Sequence, residues 1–162
     1  MAISCRAWQN RMDEARDHLY EDLAQYNKRG QQRGLSPESF DALTEPVIIR
    51  LGALGARSSF SCEGHWNARV QMLSAFAIGV DVDAQKMNVW RQFLPRFLCG
   101  EAGLAPGQGP AVSRLANIPI PRFLVGFVWE LPRDTEAWAI QRRRDAISQL
   151  CMWLDDVGPT WF

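Results

Sequence analysis

The run Ser58-Ser59-Phe60-Ser61-Cys62-Glu63-Gly64-His65-Trp66 puts a thiol, a carboxylate and an imidazole within four residues, around a glycine that permits a tight turn. No other segment of the chain is so dense in groups that do chemistry. If the chain turns at Gly64, Cys62 and His65 meet, and an imidazole beside a thiol is the pairing that makes a sulfur nucleophilic. On this reading Cys62 is the nucleophile or a ligand contact, His65 a base or hydrogen-bond donor, and Glu63 an orienting group. The hydroxyls of Ser59 and Ser61, with the backbone N–H groups near Gly64, can form a small anion-binding nest. Trp66 can act as a stacking wall, and Arg57, Arg69 and Asp81 border the loop. The ligand expected here is small and polar or anionic.

Two other readings fit the same residues. In a structural loop Cys62 is a small buried apolar side chain, His65 hydrogen-bonds a carboxylate such as Asp81, and Glu63 is solvated. A structural zinc site needs four ligands, and Cys62-x-x-His65 is half of one with no matching second pair in the chain, so no metal site is expected. No cofactor is identifiable. Phosphate loops of the form Gly-x-x-x-x-Gly-Lys, dinucleotide fingerprints Gly-x-Gly-x-x-Gly, His-Glu-x-x-His and the Gly-x-Ser-x-Gly elbow are all missing from the sequence.

Ser61-Cys62-Glu63-Gly64-His65, preceded by a helical segment and a short Ser-rich strand and followed by an alternating strand, resembles a motif of small uncharacterised bacterial and phage proteins. It is similar, more distantly, to the Ser-Ser-Cys-Ser-Gly-Arg motif of the methyltransferase family of tRNA wybutosine synthesis. Ser61, Cys62 and Gly64 match that second motif; Phe60 stands where a Ser is usual, Glu63 replaces a Ser, and His65 replaces the Arg. The departures fall at the polar positions. What the resemblance implies is a site at this loop on a small α+β fold.

The elements that must position the loop are legible in the hydrophobic periodicity. From Ser4 to Arg29, Trp8, Met12, Ala15, Leu19, Leu23 and Tyr26 recur at spacings of three and four and draw one stripe on a helix that ends near Gly30. Ser36-Pro37-Glu38 reads as the start of a second helix, carrying Phe40, Leu43, Val47, Ile48 and Leu51, with Pro46 dividing or kinking it. Ala56–Ser61 is expected as a strand entering the loop at Cys62–Asn67, and Phe76–Val82 alternates as a second strand. The stretch from Ala68 to Ala75 fits either a strand arm or a helical turn.

Asp83 is placed to cap a third helix on Met87, Trp90, Leu94 and Phe97, ending at Gly100. Glu101–Pro121, with four Pro and three Gly, reads as a long surface loop. Arg122–Leu131 is apolar on both faces at its centre and is expected as a middle strand. A last helix is capped by Asp134 or Thr135 and turns Ile140, Ile147, Leu150, Cys151 and Leu154 inward. Arg142, Arg143, Arg144 and Asp145 face out, and the helix ends at Gly158-Pro159. The order α-α-β-β-α-β-α defines an α+β fold, a single domain over residues 1–162 in which a small sheet of about three or more strands packs against four helices.

Composition excludes several classes. Of 162 residues, 47% are hydrophobic and 22% charged, with 18 Lys+Arg balancing 18 Asp+Glu, so neither disorder, collagen nor coiled coil fits, and bulk charge indicates no nucleic-acid partner. No apolar stretch approaches the ~20 residues that span a bilayer, and the opening Met1-Ala2-Ile3-Ser4 is neither anchor nor signal peptide, so no membrane partner and a cytoplasmic location are expected. The four cysteines, Cys5, Cys62, Cys99 and Cys151, are expected as reduced thiols. Seven Trp, and basic residues that are all Arg except Lys28 and Lys86, leave a second functional reading open. This is a non-catalytic accessory or mobile-element protein that engages a macromolecular partner, such as another protein, through exposed Trp and Arg near Trp161 and Phe162 and through the Pro/Gly-rich loop.

Overall fold

The computed structural model describes residues 3–73, 76–93, 110–114, 122–127 and 136–162. The first helix, α1 (Cys5–Gln31), follows its expected stripe, with Ser4 Oγ accepting the Ala7 amide at 3.2 Å as the N-cap. Trp8 is buried, and Met12, Ala15 and Leu19 pack half-buried on the core, whereas Tyr20 and Tyr26 beyond them are exposed.

Ser36-Pro37-Glu38 does not open a helix. The Asn27 side chain clasps the Glu38 backbone from both sides, Nδ2 donating to its carbonyl and Oδ1 accepting its amide, each at 2.8 Å. That clasp holds the segment in non-helical form against the local cap signal. Helix α2 runs instead over Glu45–Ala53, with Pro46 in its first turn, where a missing N–H costs nothing. Pro46 therefore starts the helix rather than dividing it. Where α2 crosses α1, a Cβ on Gly52 would lie 3.1 Å from the Ala15 Cβ, so the small residue sets their close approach.

The remaining elements are β1 (Arg57–Cys62), β2 (Trp66–Asn67), β3 (Met72–Leu73), β4 (Phe76–Asp81), a 3-10 turn over Ala84–Lys86, α3 (Met87–Phe93), β5 (Pro110–Arg114), β6 (Arg122–Phe127) and α4 (Glu136–Trp161). Four strands form one antiparallel sheet in the order β1-β4-β6-β5, and β2 pairs with β3 in a small ribbon. The fold is α+β, as the periodicity implies. Strand β6 takes the middle position that its two-sided apolar pattern requires. Strand β5 corrects the expectation of an uninterrupted loop from Glu101 to Pro121. Its proline is the first strand residue and β5 ends the sheet, the positions where a missing amide is tolerated. Asp83 does cap the turn leading into α3, accepting the Gln85 amide at 2.8 Å. The rest of that helix's expected length, the caps at Asp134 or Thr135, and Cys99 lie outside the described residues.

Helix α4 departs from expectation twice. Arg143 does not face out with its neighbours but is 4% exposed, because it shares a stripe with Ala139, Ala146, Ile147, Leu150, Trp153 and Leu154 at helical spacing. The helix also runs through Gly158-Pro159 to Trp161. Gly158 sits where a Cβ would meet Leu54 at 3.1 Å, so α4 lies tightly on the end of α2. Trp161 and Phe162 then turn inward. Phe93 contacts Trp153, Trp161 and Phe162 at ring-centroid distances of 5.1, 5.7 and 5.2 Å, and Phe162 also packs on Trp90 at 4.5 Å.

One carboxylate ties three helices together. Asp155 on α4 accepts the Trp8 indole N–H at 3.0 Å and a two-pronged contact from Arg50, Nε at 2.9 Å and Nη2 at 2.8 Å. Asp155→Ala should lower stability by about 1–3 kcal/mol, because it leaves a half-buried guanidinium and an indole donor without their acceptor. Urea denaturation measures this; a loss under about 0.5 kcal/mol would mean that the clasp is merely a surface pair. No helix among the described residues is long and apolar enough to cross a membrane.

Candidate functional site

The chain turns at Gly64, which has φ +81° and so occupies the left-handed region that glycine enters without strain. The turn brings Cys62 Sγ to 3.8 Å from His65 Nε2, and Sγ also accepts the Gly64 amide at 3.4 Å. Cys62 is half-buried and His65 exposed, so the sulfur and the imidazole meet at the surface.

Three side chains distant in sequence hold this turn. Asp41 Oδ2 accepts the Glu63 amide at 2.9 Å, and Glu63 Oε2 accepts the Leu43 amide at 3.3 Å, so loop and segment grip one another reciprocally. Thr44, fully buried, donates to the Asp41 carbonyl at 3.1 Å and reaches Ser61 Oγ at 3.5 Å. Arg143 Nη1 donates to the carbonyls of Glu63 and Gly64, the latter at 3.1 Å. Burial pushes the Arg143 guanidinium below its ordinary pKa, and the charge of Glu63, with smaller help from Cys62 and Asp41, opposes that shift. Arg143 Nε is buried with no hydrogen-bond partner.

The expected site residues divide accordingly. Cys62, Glu63, Gly64 and His65 converge, but the Glu63 carboxylate is turned to Leu43. Trp66 begins β2 opposite Leu73 and packs half-buried on the core. Arg69 is exposed in the following turn, its amide bonded to Asn67 Oδ1 at 3.0 Å. Arg57 and Asp81 face each other in register at the far end of the β1–β4 pair, while Cys62 stands in register with Ala77 at the near end. On β4 four residue steps separate Asp81 from Ala77, roughly 13 Å. Arg57 binds Asp22 at 3.0 Å on that side.

Ser59 lies at a register shift between Ser58 and Phe60. This bulge returns Ser58 and Ser61 to one face, opposite Val80 and Ile78, both fully buried. Ser61 thereby faces the helices and Cys62, by strand alternation, the other side. A cleft of about 1010 Å³ opens on the helix side between α1 and β1, with His18, Asp22, Phe40, Arg57, Ser58 and Ser61 in its walls. None of Cys62, Glu63, Gly64, His65 or Trp66 lines it.

Sequence reasoning missed Asp41, Thr44 and Arg143. Helical phase alone marks Arg143, a charged residue four before Ile147 and seven before Leu150 on an otherwise apolar stripe; nothing local marks the other two. Among the described residues no group of three or more His, Cys, Asp or Glu is arranged to hold a metal ion. No known protein family matches the chain, and no curated protein and no solved structure is recognisably similar to it.

Proposed function

We propose that the protein binds a small polar or anionic ligand at the Cys62–Trp66 loop and acts on it through the Cys62 sulfur, with His65 taking the thiol proton. The observation that carries this reading is the 3.8 Å approach of Cys62 Sγ to His65 Nε2 in a turn anchored by buried Arg143. A turn that served packing alone needs no exposed imidazole against a half-buried thiol, and anchoring by Asp41 and Arg143 keeps the pair oriented. The alternative, a docking surface for a macromolecule, has less support, because Trp161 and Phe162 pack on Phe93 and Trp90.

Alkylation of the folded protein by iodoacetamide near neutral pH tests the proposal. Cys5, which is exposed, and Cys99 are first replaced by Ser, leaving Cys62 and Cys151. Cys151 serves as the internal reference, since burial pushes its thiol pKa up and so suppresses its reactivity. Cys62 should react at least ~10-fold faster than Cys151, and His65→Ala should remove most of that advantage. Equal, slow labelling of both thiols, with His65→Ala changing nothing, would return Cys62 to a packing role.

A further inference from the structure

The turn restricts the reactions open to Cys62, and this inference rests on its being the nucleophile proposed above. Attack of a sulfur on an acyl carbon creates an oxyanion, whose stabilisation calls for preorganised donors, commonly a pair of converging backbone N–H groups, close to the nucleophile. The two amides of the turn are both engaged, Glu63 with Asp41 and Gly64 with the Cys62 sulfur itself. Arg143 holds the Glu63 and Gly64 carbonyls, whose peptide planes carry the Gly64 and His65 amides, and Asp41 holds the Glu63 amide, so none of these planes can rotate to present a donor without breaking one of those contacts. The Glu63 and Gly64 amides are therefore not free to form such a pair. Substitution at sulfur makes no such demand. It proceeds in line, develops no oxyanion, and needs only an accessible nucleophile and a proton for the departing group.

We infer that Cys62 carries out thiol–disulfide exchange with a small disulfide. Cys62 Sγ gives its proton to His65 and attacks one sulfur of R–S–S–R. A bond forms between Sγ and that sulfur, the original S–S bond breaks, and its electron pair leaves on the second sulfur, which takes the proton back from His65 as R–SH. Cys62 is oxidised to a mixed disulfide and the small disulfide is reduced. Neither of the other described cysteines shares the Cys62 turn, Cys5 opening α1 and Cys151 lying in α4. A second external thiol then releases the adduct by the same exchange.

The test uses the full chain with Cys5→Ser and Cys99→Ser, followed by intact-mass measurement at neutral pH with three separate reagents: hydroxyethyl disulfide, p-nitrophenyl acetate and hydrogen peroxide with dimedone as trap. Each rate is expressed relative to that of free cysteine with the same reagent. The disulfide should give one adduct at Cys62, accelerated roughly 10-fold or more, with the acceleration lost in His65→Ala and the ester unaccelerated. A larger acceleration with the ester, or with peroxide, would overturn disulfide exchange while leaving Cys62 a nucleophile. No acceleration with any reagent, together with slow alkylation by iodoacetamide, would overturn both readings. Because Arg143→Lys keeps a cation but loses the fork, it should restore ester reactivity relative to disulfide if released amides are what the wild type lacks. An unchanged preference would contradict the donor argument.

Discussion

Arg143→Met is expected to lower the stability of the fold by about 2–5 kcal/mol and to dismantle the Cys62–His65 turn. The side chain is 4% exposed and its Nη1 serves both Glu63 and Gly64. Methionine fills much of the same volume, so the loss falls on the two carbonyls, each costing ~1–3 kcal/mol when left without a donor. Removing the guanidinium also leaves the carboxylates of Glu63 and Asp41 without the cation whose field they share. Some of this is offset, since burying a guanidinium is itself unfavourable and the substitution relieves that penalty. The net sign follows from the fact that only one side of the arrangement is removed. Denaturant midpoints at unchanged slope measure the loss, and the rate of Cys62 alkylation reports the turn. A change under about 1 kcal/mol with unaltered labelling would show that the turn holds its shape without this contact.

Phe93→Ala should have a similar or larger effect on stability with no direct bearing on the site. Phe93 is fully buried and meets Trp90 edge-on at 6.0 Å in addition to Trp153, Trp161 and Phe162. Truncating a buried Phe costs ~3–5 kcal/mol through lost transfer energy and the cavity left behind. In a chain of this length each kcal/mol shifts Tm by ~2–4 °C, so a drop of roughly 6–20 °C is expected by calorimetry. A drop under about 3 °C would mean that the aromatic rings close over the space.

The contrast between these two residues shows where the chain is legible. Trp90 and Trp153 lie on apolar stripes, and so do the faces of α1 and β6; a period of 3.6 or 2 survives into the structure because burial of one face is what selects the element. Cys62 and His65 are also legible, since three residues around a glycine can be closed by local geometry alone. Arg143 is not, because three consecutive arginines look like a solvated face until the phase of the surrounding Ala and Ile is counted. Asp41 and Thr44 lie about twenty residues before the turn they hold, and only the packing of α2 against β1 brings them there. The false helix start at Ser36-Pro37 has the same origin: Asn27 of α1 supplies the Glu38 backbone with partners that the local sequence would assign to a helix. The missed strand β5 is a different case, in which Pro and Gly content hid an edge strand that tolerates proline at its first position.

The Asp155 clasp has a consequence for the order of events on the ribosome. Its Trp8 contact joins residues 147 apart and its Arg50 contact residues 105 apart. At ~5–20 residues per second, synthesis needs roughly 5–20 s to extend from α2 to α4. Through that interval Trp8 and the apolar side of α2 have no α4 to cover them. A nascent chain stalled before Asp155 is thus the form most in need of a holding chaperone, and the helices made first become secure only when the last is made.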